Sequence, residues 1–270
     1  MLTRRQRALR ILALCLKRFG LRERAVAMQL ARRRRQRARE EARGSHGLSK
    51  PAAFELEVQL DAIVDRDRGY FIEAGANDGY QQSNTYWLEK FRGWRGLLVE
   101  PMPELAAEAR RNRPVSTVVQ CALVAPDHEG PVRMRFGDLT TSVVGSQPED
   151  WIEGGLAFGW RDAYELDVPG RTLSDLLDEV GAPEVDLLSL DIEGYEAEAL
   201  RGLDLQRHAP RYVLVEIHDR ARNRPRIDAL LGHAYVEHGW LSPIDLLYVR
   251  RDVAGVRSAT SSALAPAGSD

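Results

Sequence analysis

Short β-branched and apolar runs alternate with helical patterns from about residue 70 to residue 217, and nothing else in the 270-residue chain constrains its fold as strongly. Such alternation predicts an open, mostly parallel sheet with helices on both faces. Strands are expected at Tyr70–Ala74, Gly96–Glu100, Val115–Cys121, Val185–Asp191 and Tyr212–Ile217. Pro103 opens a helix over Glu104–Asn112, Thr172 and Asp175 form a capping box for a helix that Gly181 ends, and Tyr195–Arg201 is a third helix stopped by Gly202. Two last strands, Ala234–Glu237 and Asp245–Arg250, joined by a turn through Gly239 and Pro243, give an antiparallel finish. Residues 131–170 fit no strand–helix unit. With Trp151, Trp160, several glycines and the polar step Thr140, Thr141, Ser142, they read as an insertion over the active edge of the sheet.

The formal net charge of -2 conceals a polarity: residues 1–44 hold 15 Arg or Lys against 3 Glu, leaving 23 basic against 37 acidic residues in 45–270. Leu9, Leu12, Leu16, Met28 and Leu30 sit among arginines, as in an interrupted basic amphipathic helix broken near Gly20. Such an arm suits docking to an anionic membrane surface or a protein partner, with nucleic acid less favoured. A solvated arm carrying only the bias of the whole chain, 35 Arg against 3 Lys, is the other reading. The expected organisation is a basic arm over 1–44, a linker over 45–53, a domain over 54–252 and a disordered tail over 253–270. No apolar stretch approaches the roughly 20 residues that span a bilayer. Two cysteines, Cys15 and Cys121, build no disulfide framework, which points to a reduced, cytoplasmic place with the arm able to reach the inner membrane face.

The run FIEAGANDG sets a strand before an acidic, glycine-spaced turn made by Glu73, Gly75, Asn77, Asp78 and Gly79. The two glycines permit a tight turn and close backbone approach to a ligand. Their GxxxG spacing is not the GxGxxG of a dinucleotide loop, and Asp78 would meet a pyrophosphate with like charge, so a nucleotide-sugar oxidoreductase is disfavoured. Glu100, at a strand end 21 residues after Gly79 and followed by Pro101, is placed to accept hydrogen bonds from ribose hydroxyls. An acidic loop with a ribose carboxylate suits a cationic nucleoside without phosphates, such as S-adenosylmethionine.

The stretches FIEAGANDG, SNTYWLEKFRGWRGLLVEP, TLSDLL and VDLLSLDIEGYEAEALRG resemble the FkbM family of S-adenosylmethionine-dependent methyltransferases over about residues 54–250, LDIEGYE being the most specific. The resemblance implies the class I methyltransferase (Rossmann-like) fold, an α/β sheet of seven strands with an antiparallel last pair. It also implies methyl transfer to oxygen, often a hydroxyl of a sugar in a polysaccharide, glycolipid or antibiotic. Glu73 stands where the family usually has Asp, keeping a carboxylate for the cofactor's amino group. Asn84, in the SNT step, matches a family position and is either a cofactor contact or a helix N-cap.

Methyl transfer is an in-line displacement that needs an aligned acceptor oxygen and a group to take its proton. Asp191 and Glu193 lie at a strand end beside Gly194, where either serves as base or as a first-turn carboxylate for the next helix. In VEIHD, Glu216 and His218 alternate onto one face of the neighbouring strand, and an imidazole suits proton removal from an alcohol. Asp191, Glu216 and His218 are also a candidate set for a divalent metal such as Mg. Trp151, Trp160, Tyr164 and Tyr195 either stack on a sugar or form the insertion's own small core. A scaffold that keeps the fold while its arm docks elsewhere is the non-enzymatic alternative.

Overall fold

The computed structural model describes residues 21–42, 53–147 and 164–255. The large sheet has seven strands: β1 (Tyr70–Ala74), β2 (Arg95–Val99), β3 (Thr117–Val119), β4 (Leu187–Leu190), β5 (Tyr212–Glu216), β6 (Tyr235–Trp240) and β7 (Asp245–Arg250). Their spatial order is β6-β7-β5-β4-β1-β2-β3, with β1 to β5 parallel and β7 antiparallel to both its neighbours. This is the class I methyltransferase topology expected above. Strand order reverses between β1 and β4, and in open α/β sheets the crevice beyond the carboxyl ends at such a switch point is where ligands bind.

Helices cover both faces, so β1 is buried at every position and, apart from Glu73, reads as an apolar run. Ile72, Leu188 and Val213 point to one face, against Leu173 and Leu177 of one helix (Leu173–Glu179) and Ile227 and Leu231 of another (Arg220–Leu231). Phe71, Leu187 and Tyr212, one residue out of phase, point to the other, against Leu60, Leu88 and Ala109. Those three sit on helices Leu56–Ile63, Tyr86–Arg92 and Pro103–Asn112. The expected cap is present: Thr172 Oγ1 accepts the Asp175 N–H at 3.1 Å.

Three expectations shift. Gly239 is not in the last turn; it lies inside β6 with φ of 144°, at a break of register between Glu237 and Gly239, where an extra residue is absorbed as a bulge. Val115 is 62% exposed and precedes β3, an edge strand shorter than its apolar run suggests. Val253, assigned above to the tail, is buried in the core. Residues 256–270 of that tail lie outside the described residues, as do arm residues 1–20 and most of the linker.

The insertion builds a small antiparallel sheet, Val132–Phe136 between Ser142–Val143 and Tyr164–Val168. Tyr164 stacks on Phe136 with centroids 4.9 Å apart, which makes it part of the insertion's own core; Trp151 and Trp160 lie outside the described residues. The helix Leu21–Ala42 of the arm, α1, contributes buried Leu30 to the cluster that holds Met102, Leu105 and Phe136. Among the described residues no helix is long and apolar enough to cross a membrane.

Candidate active site

A cavity opens at the carboxyl ends of β1, β2 and β4, with Gly75, Asn77, Glu100, Pro101, Asp191 and Glu193 in its wall. It holds about 720 Å³ of space not filled by protein, part of it open solvent. Gly75 has φ of 83°, and a Cβ built on it would fall 1.7 Å from the Asp191 carbonyl oxygen. Only glycine lets the two strand ends approach this closely.

Asn77, itself left-handed at φ 49°, donates its N–H to Glu100 Oε2 at 2.8 Å, while Met102 N–H donates to Glu100 Oε1 at 2.9 Å. Glu100 is therefore buried and fixed through both oxygens at the cavity wall.

Glu73, Asp78, Gly79 and Asn84, expected to contact the cofactor, fall outside the cavity lining and brace it from behind. Glu73 accepts from Asn84 N–H at 2.8 Å, Ser83 Oγ at 2.9 Å, Thr85 Oγ1 at 2.6 Å and Arg113 Nη1 at 3.2 Å, so its oxygens are occupied within the protein. Asp78 Oδ1 accepts the N–H groups of Tyr80 and Gln81 and closes the turn. Gly79 makes room for the helix Pro103–Asn112: its Cβ would sit 3.0 Å from Ala109 Cα. Asn84 is neither a cavity residue nor a cap, since Thr85 holds the N-cap position and Asn84 Nδ2 donates to Ser189 Oγ at 3.1 Å.

Sequence reasoning missed Arg113, which is fully buried and central to this brace. Its guanidinium pairs with Glu73 at 3.2 Å and Glu89 at 2.8 Å and donates to Gly79 O, Ser83 Oγ and both oxygens of Thr85. Glu196 was missed as well; its Oε1 accepts the N–H groups of Ile192 and Gly194 and fixes the turn after β4.

On that turn Glu193 has φ of 57°. Its Oε2 lies 3.7 Å from His218 Nε2, which stands 2.9 Å from Glu216 Oε2. Asp191 is hydrogen-bonded to Glu216. Burial, followed by the charge of Glu216, pushes the Asp191 carboxyl well above the usual carboxylate range; burial and then Glu193 do the same to Glu216. Asp191 keeps some surface toward the cavity, but protein encloses the rest, so solvation of its charge is poor. Two carboxyls that share a hydrogen bond need a proton between them, and the raised titration of both Asp191 and Glu216 supplies it.

The expected metal set is thus recast: Asp191 turns to Glu216, and the donor atoms within 4.8 Å of one another belong to Glu193, Glu216 and His218. Tyr195 lines the cavity beside Glu193, together with Thr141, Leu139 and Val143 of the insertion.

The family model described as a methyltransferase FkbM domain matches residues 73–238. Methyltransferase sdnD of Sordaria araneosa is 38% identical over 187 residues, covering 60% of this chain and 71% of that protein. The 2-O-methyltransferase NoeI of Sinorhizobium fredii is 23% identical over 189 residues, 65% of this chain and 74% of that one. Among solved structures, Aeropyrum pernix fibrillarin with natively bound S-adenosyl-L-methionine aligns at a TM-score of 0.42 and 13% identity, covering 75% and 76% of the two chains.

Proposed function

The chain belongs to the FkbM family of methyltransferases, and from that premise we propose that it is an S-adenosylmethionine-dependent O-methyltransferase acting on a hydroxyl of a sugar or glycoconjugate. The observation that carries the cofactor reading is the charge of the cavity wall. Glu100 and Glu193 line it as carboxylates, with Asp191 beside them sharing a proton with Glu216, and among the described residues no Arg or Lys does. A pyrophosphate would find only repulsion there, whereas a cationic nucleoside finds attraction strengthened by burial.

When bound, S-adenosylmethionine supplies an electrophilic methyl on a sulfonium. Glu100 accepts from the ribose hydroxyls through the lone pairs that Asn77 and Met102 leave to it. Glu193, which lines the cavity, accepts the hydrogen bond of the acceptor hydroxyl. By way of Glu193 the proton passes to His218, whose imidazolium is then held with Nε2 2.9 Å from Glu216 and 3.7 Å from Glu193. Asp191, kept protonated, donates to Glu216 and holds it toward the imidazole.

A second reading rests on the same trio. One imidazole nitrogen and two carboxylates within 4.8 Å fit a divalent cation, for which the nitrogen donor favours Mn or Zn over Mg. Outside the site, Arg32, Arg35 and Arg39 of α1 are exposed and support docking of a cytoplasmic protein to an anionic surface.

Titration calorimetry with S-adenosylhomocysteine tests the cofactor, and absence of binding would sink that half of the proposal. Mass spectrometry of glycans and metabolites from cells with and without the gene tests the acceptor; the expected difference is one methyl on a sugar hydroxyl. Activity lost on dialysis against EDTA and restored by a divalent ion would select the metal reading.

A further inference from the structure

The arm carries a second feature that neither the matched family region nor the cavity accounts for. In α1, Leu30, Arg33, Arg34 and Arg37 follow the i, i+3, i+4, i+7 spacing of one helix face. That face docks on the domain: Leu30 is 6% exposed, Arg34 Nε lies 3.2 Å from Glu108, and Arg37 donates to Tyr86 Oη at 2.8 Å and stacks over Tyr80. Arg33 alone of these reaches the glycine turn, where Nη1 lies 3.3 Å from both Asn77 Oδ1 and Asp78 Oδ2.

We propose that Arg33 is a positioning residue for the cofactor: from outside residues 73–238, it holds the turn in the conformation that keeps Glu100 aimed at the ribose. The proposal rests on the cofactor reading above. Asn77 is the link. Its side-chain oxygen faces Arg33 and also accepts Asp78 N–H at 2.8 Å, while its own N–H holds Glu100 at 2.8 Å. Asn77 and Gln82 both have left-handed backbones, at φ 49° and 54°, conformations that non-glycine residues keep only where surrounding contacts enforce them. Arg33 also offsets the charge of Asp78, whose side chain is only 4% exposed and which lies one residue from the Asn77–Glu100 contact. Without that cation, Asp78 is a buried carboxylate held by the backbone N–H groups of the turn alone, and the turn moves with it.

The test is calorimetry of S-adenosylhomocysteine with the full-length protein, Arg33→Ala, Arg33→Lys and Arg34→Ala. Arg34 forms an ion pair from the same helix that does not touch the turn. The expected result is a Kd about tenfold weaker for R33A, equivalent to about 1.4 kcal/mol, partial recovery in R33K and no change in R34A. KM for S-adenosylmethionine should rise about tenfold in R33A while kcat at saturation stays within about twofold. Equal Kd values for wild type and R33A overturn the proposal, and so does equal weakening in R33A and R34A, which would assign the effect to arm docking in general. Failure of the wild type to bind overturns the cofactor reading itself. Should R33A not fold, R33K carries the same test through its Kd.

Discussion

Arg113→Met should destabilise the protein more than most single substitutions, although the residue never touches the cavity. Its guanidinium is completely buried between Glu73 and Glu89, whose side chains are 5% and 7% exposed, so methionine leaves two carboxylates in the interior without their cation. Breaking a buried ion pair from one side costs about 3–5 kcal/mol, because the remaining charge is not resolvated. For a domain of this size each kcal/mol lowers Tm by about 2–4 °C, so the melting temperature should fall by roughly 6–20 °C. The same loss frees Ser83, Thr85 and the Gly79 carbonyl from their common donor, and affinity for S-adenosylhomocysteine should fall with stability. Thermal melts by circular dichroism, with chemical denaturation for ΔG, measure the first effect. A triple variant that adds Glu73→Gln and Glu89→Gln leaves no unpaired charge and should recover more than half the loss. A drop below about 2 °C in R113M, or no recovery in the triple variant, refutes the view that charge compensation holds the turn.

His218→Ala should lower kcat by roughly 10²-fold to 10⁴-fold while the Kd for S-adenosylhomocysteine stays within about threefold; a comparable loss in both would make His218 a binding residue. Asp191→Asn, whose neutral amide can still donate to Glu216, should keep most of the activity and stabilise the fold increasingly toward alkaline pH. The folded Asp191 carboxyl is raised by burial and by Glu216, so the native state keeps a proton that the unfolded chain releases above about pH 4. That contribution is complete below the unfolded pKa and is lost as pH rises through the folded one. Asn is neutral throughout, so its Tm advantage should widen as pH rises above the unfolded carboxyl's value of about 4, and a gap independent of pH would contradict the assignment.

The sheet was legible because burial on both faces writes itself as apolar runs, as in Tyr212–Val215 of β5. The helix Arg220–Leu231 was not: RARNRPRIDALL buries only Asn223, Ile227 and Leu231, a single narrow stripe in an otherwise polar segment containing Pro225. At the site, the places of Gly75 and Glu100 at the cavity wall were legible because a turn and a strand end are local events. The partners of Glu73 were not, because sequence shows a carboxylate but not which side of the turn it faces. Arg113 and Arg33 had no local mark at all. In a chain with 35 arginines neither stands out, and each acts through partners distant in sequence, Arg113 on Glu73 and Arg33 on Asp78.

Those two arginines also resolve an electrostatic conflict that the sequence only hints at. A pocket for a cationic ligand needs uncompensated negative charge, yet carboxylates crowded at one sheet edge repel one another and destabilise the fold. The structure divides them. Glu73 and Asp78 turn to the back of the glycine turn, where Arg113 and Arg33 neutralise them, and Glu100, Asp191 and Glu193 turn to the cavity. The cavity-facing set relieves its own repulsion differently, through the backbone N–H donors on Glu100, the proton between Asp191 and Glu216, and His218 beside Glu193. An arginine moved from the back of the turn into the cavity wall would satisfy the same net charge and defeat the site. What the fold must secure is therefore the side of the turn on which each cation stands.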